Sequence, residues 1–137
     1  MKIMICGRMN FAKEMLETKN SLEESGHEAL VPVDIMECLE DPGLNMNLGH
    51  CITTQVDKKC FDLIAESDAI LVLNHEKNGI KGYVGGATLM EIGIARHLNK
   101  KIFLLHELPS EQGLRHALEI RAAEPVVLKG DLGRLPK

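Results

Sequence analysis

Glu91 is the residue whose setting most invites chemistry. It stands between Met90 and Ile92 in ATLMEIGIARHL, a stretch otherwise patterned as a helix buried against a sheet. A carboxylate there has two uses: it bonds a nearby backbone group or cation as structure, or it faces a crevice as a nucleophile or base. The segment before it, KNGIKGYVGG, brings Tyr83, Gly85 and Gly86 to the helix start, with Thr88 just inside. Unpaired N–H groups and the positive end of a helix dipole favour phosphate or carboxylate, while glycines before a helix also serve simply as turn-makers.

A second group gathers at the ends of apolar runs. Gly7, Arg8 and Met9 follow KIMIC, and Asn74 and His75 follow DAILVL. Arg8 can take a phosphate in bidentate fashion, or pair with a surface acid. His75, with an ordinary pKa of ~6.5, is either a proton donor or a loop residue without a role.

These residues need elements to hold them. Lys2–Cys6 reads as a strand buried on both faces, followed by a helix from Asn10, a plausible N-cap, to Gly26 just past its end. His27 to Val33 reads as a second strand, and residues 34–50, with DPG and NMNLG, as a long lid-like loop holding a short helix around Ile35 to Leu39. Helix Ile52–Glu66, strand Asp68–Asn74, helix Ala87–Leu98, strand Lys101–His106, helix Ser110–Ala122 and strand Pro125–Leu128 follow. The alternation predicts a single α/β domain over 1–137: a flavodoxin-like three-layer sandwich with a five-stranded parallel sheet ordered 2-1-3-4-5. Its crevice lies where the order reverses, at the ends of the first and third strands.

Composition removes several function classes. With 16 Lys+Arg against 20 Asp+Glu the formal charge is −4, and aromatics make up only 3%, so neither a phosphate-backbone footprint nor a base-stacking surface is available for nucleic acid. No apolar stretch approaches the ~20 residues a bilayer requires, and MKIMICG is too short for a secretory core; a cytoplasmic location is expected. The cysteines Cys6, Cys38, Cys51 and Cys60 form no CxxC pair and read as reduced. Cys38, His50, Cys51 and Cys60 have no recognised zinc spacing, GxGxxG is absent, and CGRMNFAK lacks the hydroxyls of an FMN loop. Asn74 stands where a phosphoacceptor receiver needs an acid. No metal and no cofactor is expected.

DAILVLN with GYVGGATLMEIGIARHLNKKIFLL resembles the nucleoside 2′-deoxyribosyltransferase superfamily, and IMICGRM is similar to the CGS motif of the related 2′-deoxynucleoside 5′-phosphate N-hydrolases. The resemblance implies that Glu91 attacks C1′ of a (deoxy)ribosyl group, giving a glycosyl-enzyme that water or a second base resolves. It also implies a small-molecule nucleoside or nucleotide as partner, and a homodimer or higher assembly, for whose contact the Met- and Leu-rich 34–50 segment is the candidate. The strand ends and the loop into the third helix offer Gly7, Arg8, Met9, Asn74, Gly85, Gly86 and Thr88 for substrate binding; for the helix-borne acid that relatives set at the sugar, the helix before the third strand supplies Asp57, the choice here, and Asp62 at different offsets, or both simply face solvent. Relatives carry a tyrosine where this chain has Met4, so Tyr83 is the candidate to replace it. Arg8 replaces the serine of CGS, and Gly85 to Thr88 offer no acid to protonate the leaving base. These departures leave a rival reading: a non-catalytic nucleotide-binding relative in which Glu91 contacts a ribose.

Overall fold

Strands β1 (Lys2–Cys6), β2 (Glu28–Leu30), β3 (Ala69–Val72), β4 (Lys101–Leu104) and β5 (Val126–Val127) pair in parallel in the order β2-β1-β3-β4-β5. This computed structural model describes residues 1–137. The flavodoxin-like α/β arrangement predicted from the pattern is therefore the one observed. Cys6 sits beside Val72, and Met4 between Leu30 and Ile70, so the ends of β1 and β3 flank the point where the order reverses.

Alternation along the strands supplies both faces. Ile3, Ile5, Leu71 and Phe103 join Met15 and Leu22 of α1 (Ala12–Glu24) and Ile35 of α2 (Ile35–Glu40) in one apolar layer. Met4, Cys6, Val72 and Leu104 form the other. They pack with Ile64 of α4 (Val56–Ala65), Ile92 of α5 (Gly86–His97) and Ile120 of α6 (Ala117–Ala122). Each such side chain contributes roughly 1.5–3 kcal/mol by leaving water. Helix α3 (Leu48–Thr54) leads into α4.

Several elements are shorter than the pattern predicts. The loop expected over 34–50 contains α2, a 3₁₀ turn at Leu44–Met46 and the start of α3. The single helix expected over 52–66 is broken at Gln55, whose φ of 51° is left-handed. There the Thr54 hydroxyl donates to the His50 carbonyl at 2.7 Å, an alternative to helical continuation. The helix expected from Ser110 keeps only Ala117–Ala122; before it lies a turn in which Ser110 Oγ accepts the Gly113 N–H at 2.9 Å. Asn10 caps nothing; it lies in a 3₁₀ turn and accepts from Arg8 Nη2 at 3.4 Å. Gly26, at φ 93°, ends α1 as expected.

Candidate active site

Thr88, Glu91, Ile92 and Ala95 are the buried residues of α5, spaced as one helical stripe. Glu91 thus takes a core position and is only 8% exposed. No cation approaches it within ion-pair distance. Without that compensation, burial pushes its carboxyl up to about 7, the Cys6 thiol pulling the other way. Burial drives Cys6 well above the ordinary thiol range, and Cys60 of α4 up to about 12; the charge of Glu91 adds to both. Glu91 therefore points at the carboxyl end of β1, between α5 and α4.

A cationic group lies at the start of the same helix. The Arg8 guanidinium carbon stands 5.6 Å from the Tyr83 ring centre and Lys77 Nζ 4.9 Å from it, both in cation–π range. A Cβ on Gly85 would lie 3.7 Å from Arg8 Nη1, so Arg8 borders the first turn of α5. The first helical bond there is Leu89 N–H to the Gly85 carbonyl, leaving the amides of Gly86, Ala87 and Thr88 outside the ladder. Tyr83 packs against the apolar layer that holds Met4, Cys6 and Ile92. Two glycines make this approach possible. At Gly7 a Cβ would press on Met15 and on the Leu73 carbonyl; at Gly82, with φ 71°, it would collide with the Glu107 carbonyl. His116 Nε2 fixes the loop by bonding the Val84 carbonyl at 2.6 Å.

Other predicted site residues are placed differently. Asn74 is fully buried: its amide donates to the His106 and Glu107 carbonyls at 3.1 Å each and accepts the His106 N–H at 2.8 Å. It braces the segment after β4 and has no donor left for a substrate, a correction to its predicted binding role. His75 Nδ1 meets His106 Nε2 at 3.0 Å, and its ring packs on Phe11; burial and His106 lower its pKa, which disfavours the proton-donating form. Met9 packs into the apolar layer beneath α1, and Asp57 is exposed on the first turn of α4. Arg8, Tyr83 and Gly85 lie close together, Gly7 packs near Met15 and Leu73, and Thr88 is buried in the first turn of α5 with Gly86 exposed at its start.

One buried polar pair escaped the sequence reading. His50 Nε2 meets Asp34 Oδ2 at 2.8 Å, and the Cys38 thiol approaches the same oxygen at 3.6 Å. Their side chains are 15% and 7% exposed for His50 and Asp34, and Asp34 Oδ1 is buried without a partner. The available signal was an acid just beyond the second strand, behind Pro32; nothing local ties it to His50. No three or more His, Cys, Asp or Glu side chains gather in metal-holding geometry, and no helix is long and apolar enough to cross a membrane.

Sheet order and the flanking helices define a flavodoxin-like α/β protein with a buried carboxylate on α5. No family model matches the chain, and no curated protein matches it. Among solved structures it is similar to the CMP N-glycosidase BcmB of Clostridium botulinum. The TM-score is 0.51 and the identity 24%, over 94% of this chain and 84% of that one. That likeness shows a shared fold.

Proposed function

We propose that the chain cleaves or transfers the N-glycosidic bond of a (deoxy)nucleoside or its 5′-monophosphate through a covalent glycosyl-Glu91 intermediate. The observation that carries this reading is the buried, cation-free Glu91 carboxylate at the carboxyl end of β1. A buried acid with a raised pKa and no ion-pair partner costs stability, which a purely structural role does not explain. The name of the structural neighbour, an N-glycosidase acting on CMP, agrees with this chemistry.

In this reading Glu91 Oε attacks C1′, and the bond to the base breaks with its electron pair going to the base nitrogen. Water then attacks C1′ for hydrolysis, or a second base does so for transfer. Arg8 and the free amides of Gly86, Ala87 and Thr88 hold the 5′-phosphate, and Tyr83 orients the carboxylate. Gly7 and Gly85 let the backbone come close, and Asp57 is a candidate for the sugar hydroxyls. Met36, Met46, Leu48 and Ile52, all exposed on α2, α3 and the segment between them, support self-association through that face.

A second reading is a nucleotide-binding protein without catalysis. It is favoured by Met4, which is fully buried in the aliphatic layer where relatives are expected to have a hydroxyl. A panel of nucleosides and 5′-monophosphates, followed by chromatography for free base, separates the two. Release that disappears in Glu91→Gln supports the enzyme, and tight binding without release supports the binding protein. If neither occurs, both readings fail.

A further inference from the structure

We propose that Asp34 and His50 are the acid machinery of the site, His50 as the catalytic residue that protonates the departing base and Asp34 as the positioning residue behind it. This rests on the cleavage reading above. A base leaving C1′ carries away the bonding electron pair and needs a proton, a step general acids accelerate by about 10²–10⁴-fold. The start of α5 offers only Gly85, Gly86, Ala87 and Thr88. His75 is taken up by His106 and Phe11.

The Asp34–His50 pair has the required construction. Asp34 lies just past β2, the neighbour of β1 on the side away from β3. His50 Nε2–H donates to Asp34 Oδ2 at 2.8 Å, which leaves Nδ1 as the working nitrogen, without a partner in the protein. The backbone beneath the ring is held from both directions: Asn47 Oδ1 accepts the His50 N–H at 3.0 Å, and the Thr54 hydroxyl donates to the His50 carbonyl at 2.7 Å. A buried carboxylate behind an imidazole steadies the imidazolium and fixes its orientation. Leu30 of β2 pairs with Met4 of β1 and packs against the layer that holds Cys6 and Ile92, so Asp34, four residues past Leu30, lies at the same edge of the sheet as the end of β1. The two acids stand on different elements, Glu91 on α5 and the Asp34–His50 pair on the segment from β2 to α3. A displacement needs this division, because the base departs from the face of C1′ opposite the nucleophile.

The step balances without any further reactant. As Glu91 Oε bonds to C1′, the base nitrogen takes the electron pair of the broken bond and the proton from His50 Nδ1. Water then attacks C1′ of the glycosyl-Glu91 ester and gives its proton to bulk water, the carboxylate is released, and neutral His50 is reprotonated from bulk water.

The test uses the full chain and a pair of leaving groups. One substrate is the nucleotide that the panel finds to be cleaved. The other is 7-methylguanosine 5′-monophosphate or 4-nitrophenyl ribofuranoside 5′-phosphate, whichever the wild type turns over faster; both leaving groups depart without needing a proton. His50→Gln should lower kcat on the ordinary nucleotide by about 100-fold or more with KM changed less than about threefold, yet leave the second substrate within about fivefold of wild type. Asp34→Asn should show the same selectivity with a smaller loss. Because Asp34 is buried, circular dichroism checks its folding, and His50→Gln alone decides if that variant is unfolded. Equal losses on both substrates, or no loss on the nucleotide, overturn the proposal. A wild type that cleaves none of the substrates overturns the cleavage reading itself, a different result from an active wild type indifferent to His50.

Discussion

Replacing Glu91 by glutamine should abolish base release and, at the same time, make the fold more stable above pH 7. Burial raises the carboxyl from 4.5 to about 7. Between those values the folded chain keeps a proton that the unfolded chain has released, so stability falls as pH rises through this window. Above about pH 7 the cost is complete, and the shift corresponds to about 3 kcal/mol. Glutamine has nearly the same shape and no charge, so it escapes that cost. Urea unfolding of both proteins at one ionic strength should therefore find the variant about 3 kcal/mol more stable at pH 8, and the gap should shrink below about 1 kcal/mol at pH 5. A variant no more stable than wild type at pH 8, or a gap independent of pH, would refute the claim that Glu91 is an uncompensated buried acid. The same carboxylate sets the pH dependence of wild-type cleavage. With a nucleoside substrate, which has no titrating phosphate, kcat/KM should rise as pH passes through about 7, the acid limb that this carboxylate sets.

Other expectations concern the neighbours of Glu91. Arg8→Ala should raise KM for a 5′-monophosphate by about 10-fold or more while leaving the nucleoside nearly unaffected, as loss of a charge-assisted phosphate contact worth roughly 1.5–3 kcal/mol would do; equal effects on both would remove the phosphate role. Tyr83→Phe, which keeps the ring beside Arg8 and Lys77 but deletes the hydroxyl, should lower kcat; unchanged cleavage would leave Tyr83 only a packing role. Gly82→Ala places a Cβ against the Glu107 carbonyl at a left-handed φ and should cost more than about 2 kcal/mol in urea unfolding. Asn74→Ala strands the backbone groups of His106 and Glu107 and should cost about 3 kcal/mol, read the same way.

The architecture was legible because its signals are local. Continuous apolar runs mark strands buried on two faces, and β1 and β3 lie where KIMIC and AILV stand. The element ends were less so, since side chains compete there with the backbone. Periodicity alone would carry single helices through Gln55 and from Ser110, where the structure has a left-handed residue and a separate turn. Pro32, which lacks an N–H, follows the short β2. Asn74 was misassigned for a related reason: an amide at a crevice strand end suits a ligand and a neighbouring backbone equally well, and only the position of residues 106–107 decides between them.

By itself, the sequence determined the order of strands and helices, the acid on a helix patterned for burial, and the glycines that clear space for backbone approach. Each follows from periodicity or side-chain size within a short window. Only the tertiary structure decided which side chains meet. Arg8 reaches Tyr83, and Cys6 and Cys60 come to Glu91, because parallel pairing sets the end of β1 beside the loops that follow β3. His50 finds Asp34 across sixteen positions, where α3 returns to the residue that precedes α2. Such contacts join residues far apart in the chain, and their geometry depends on strand register and layer packing, which no local pattern encodes.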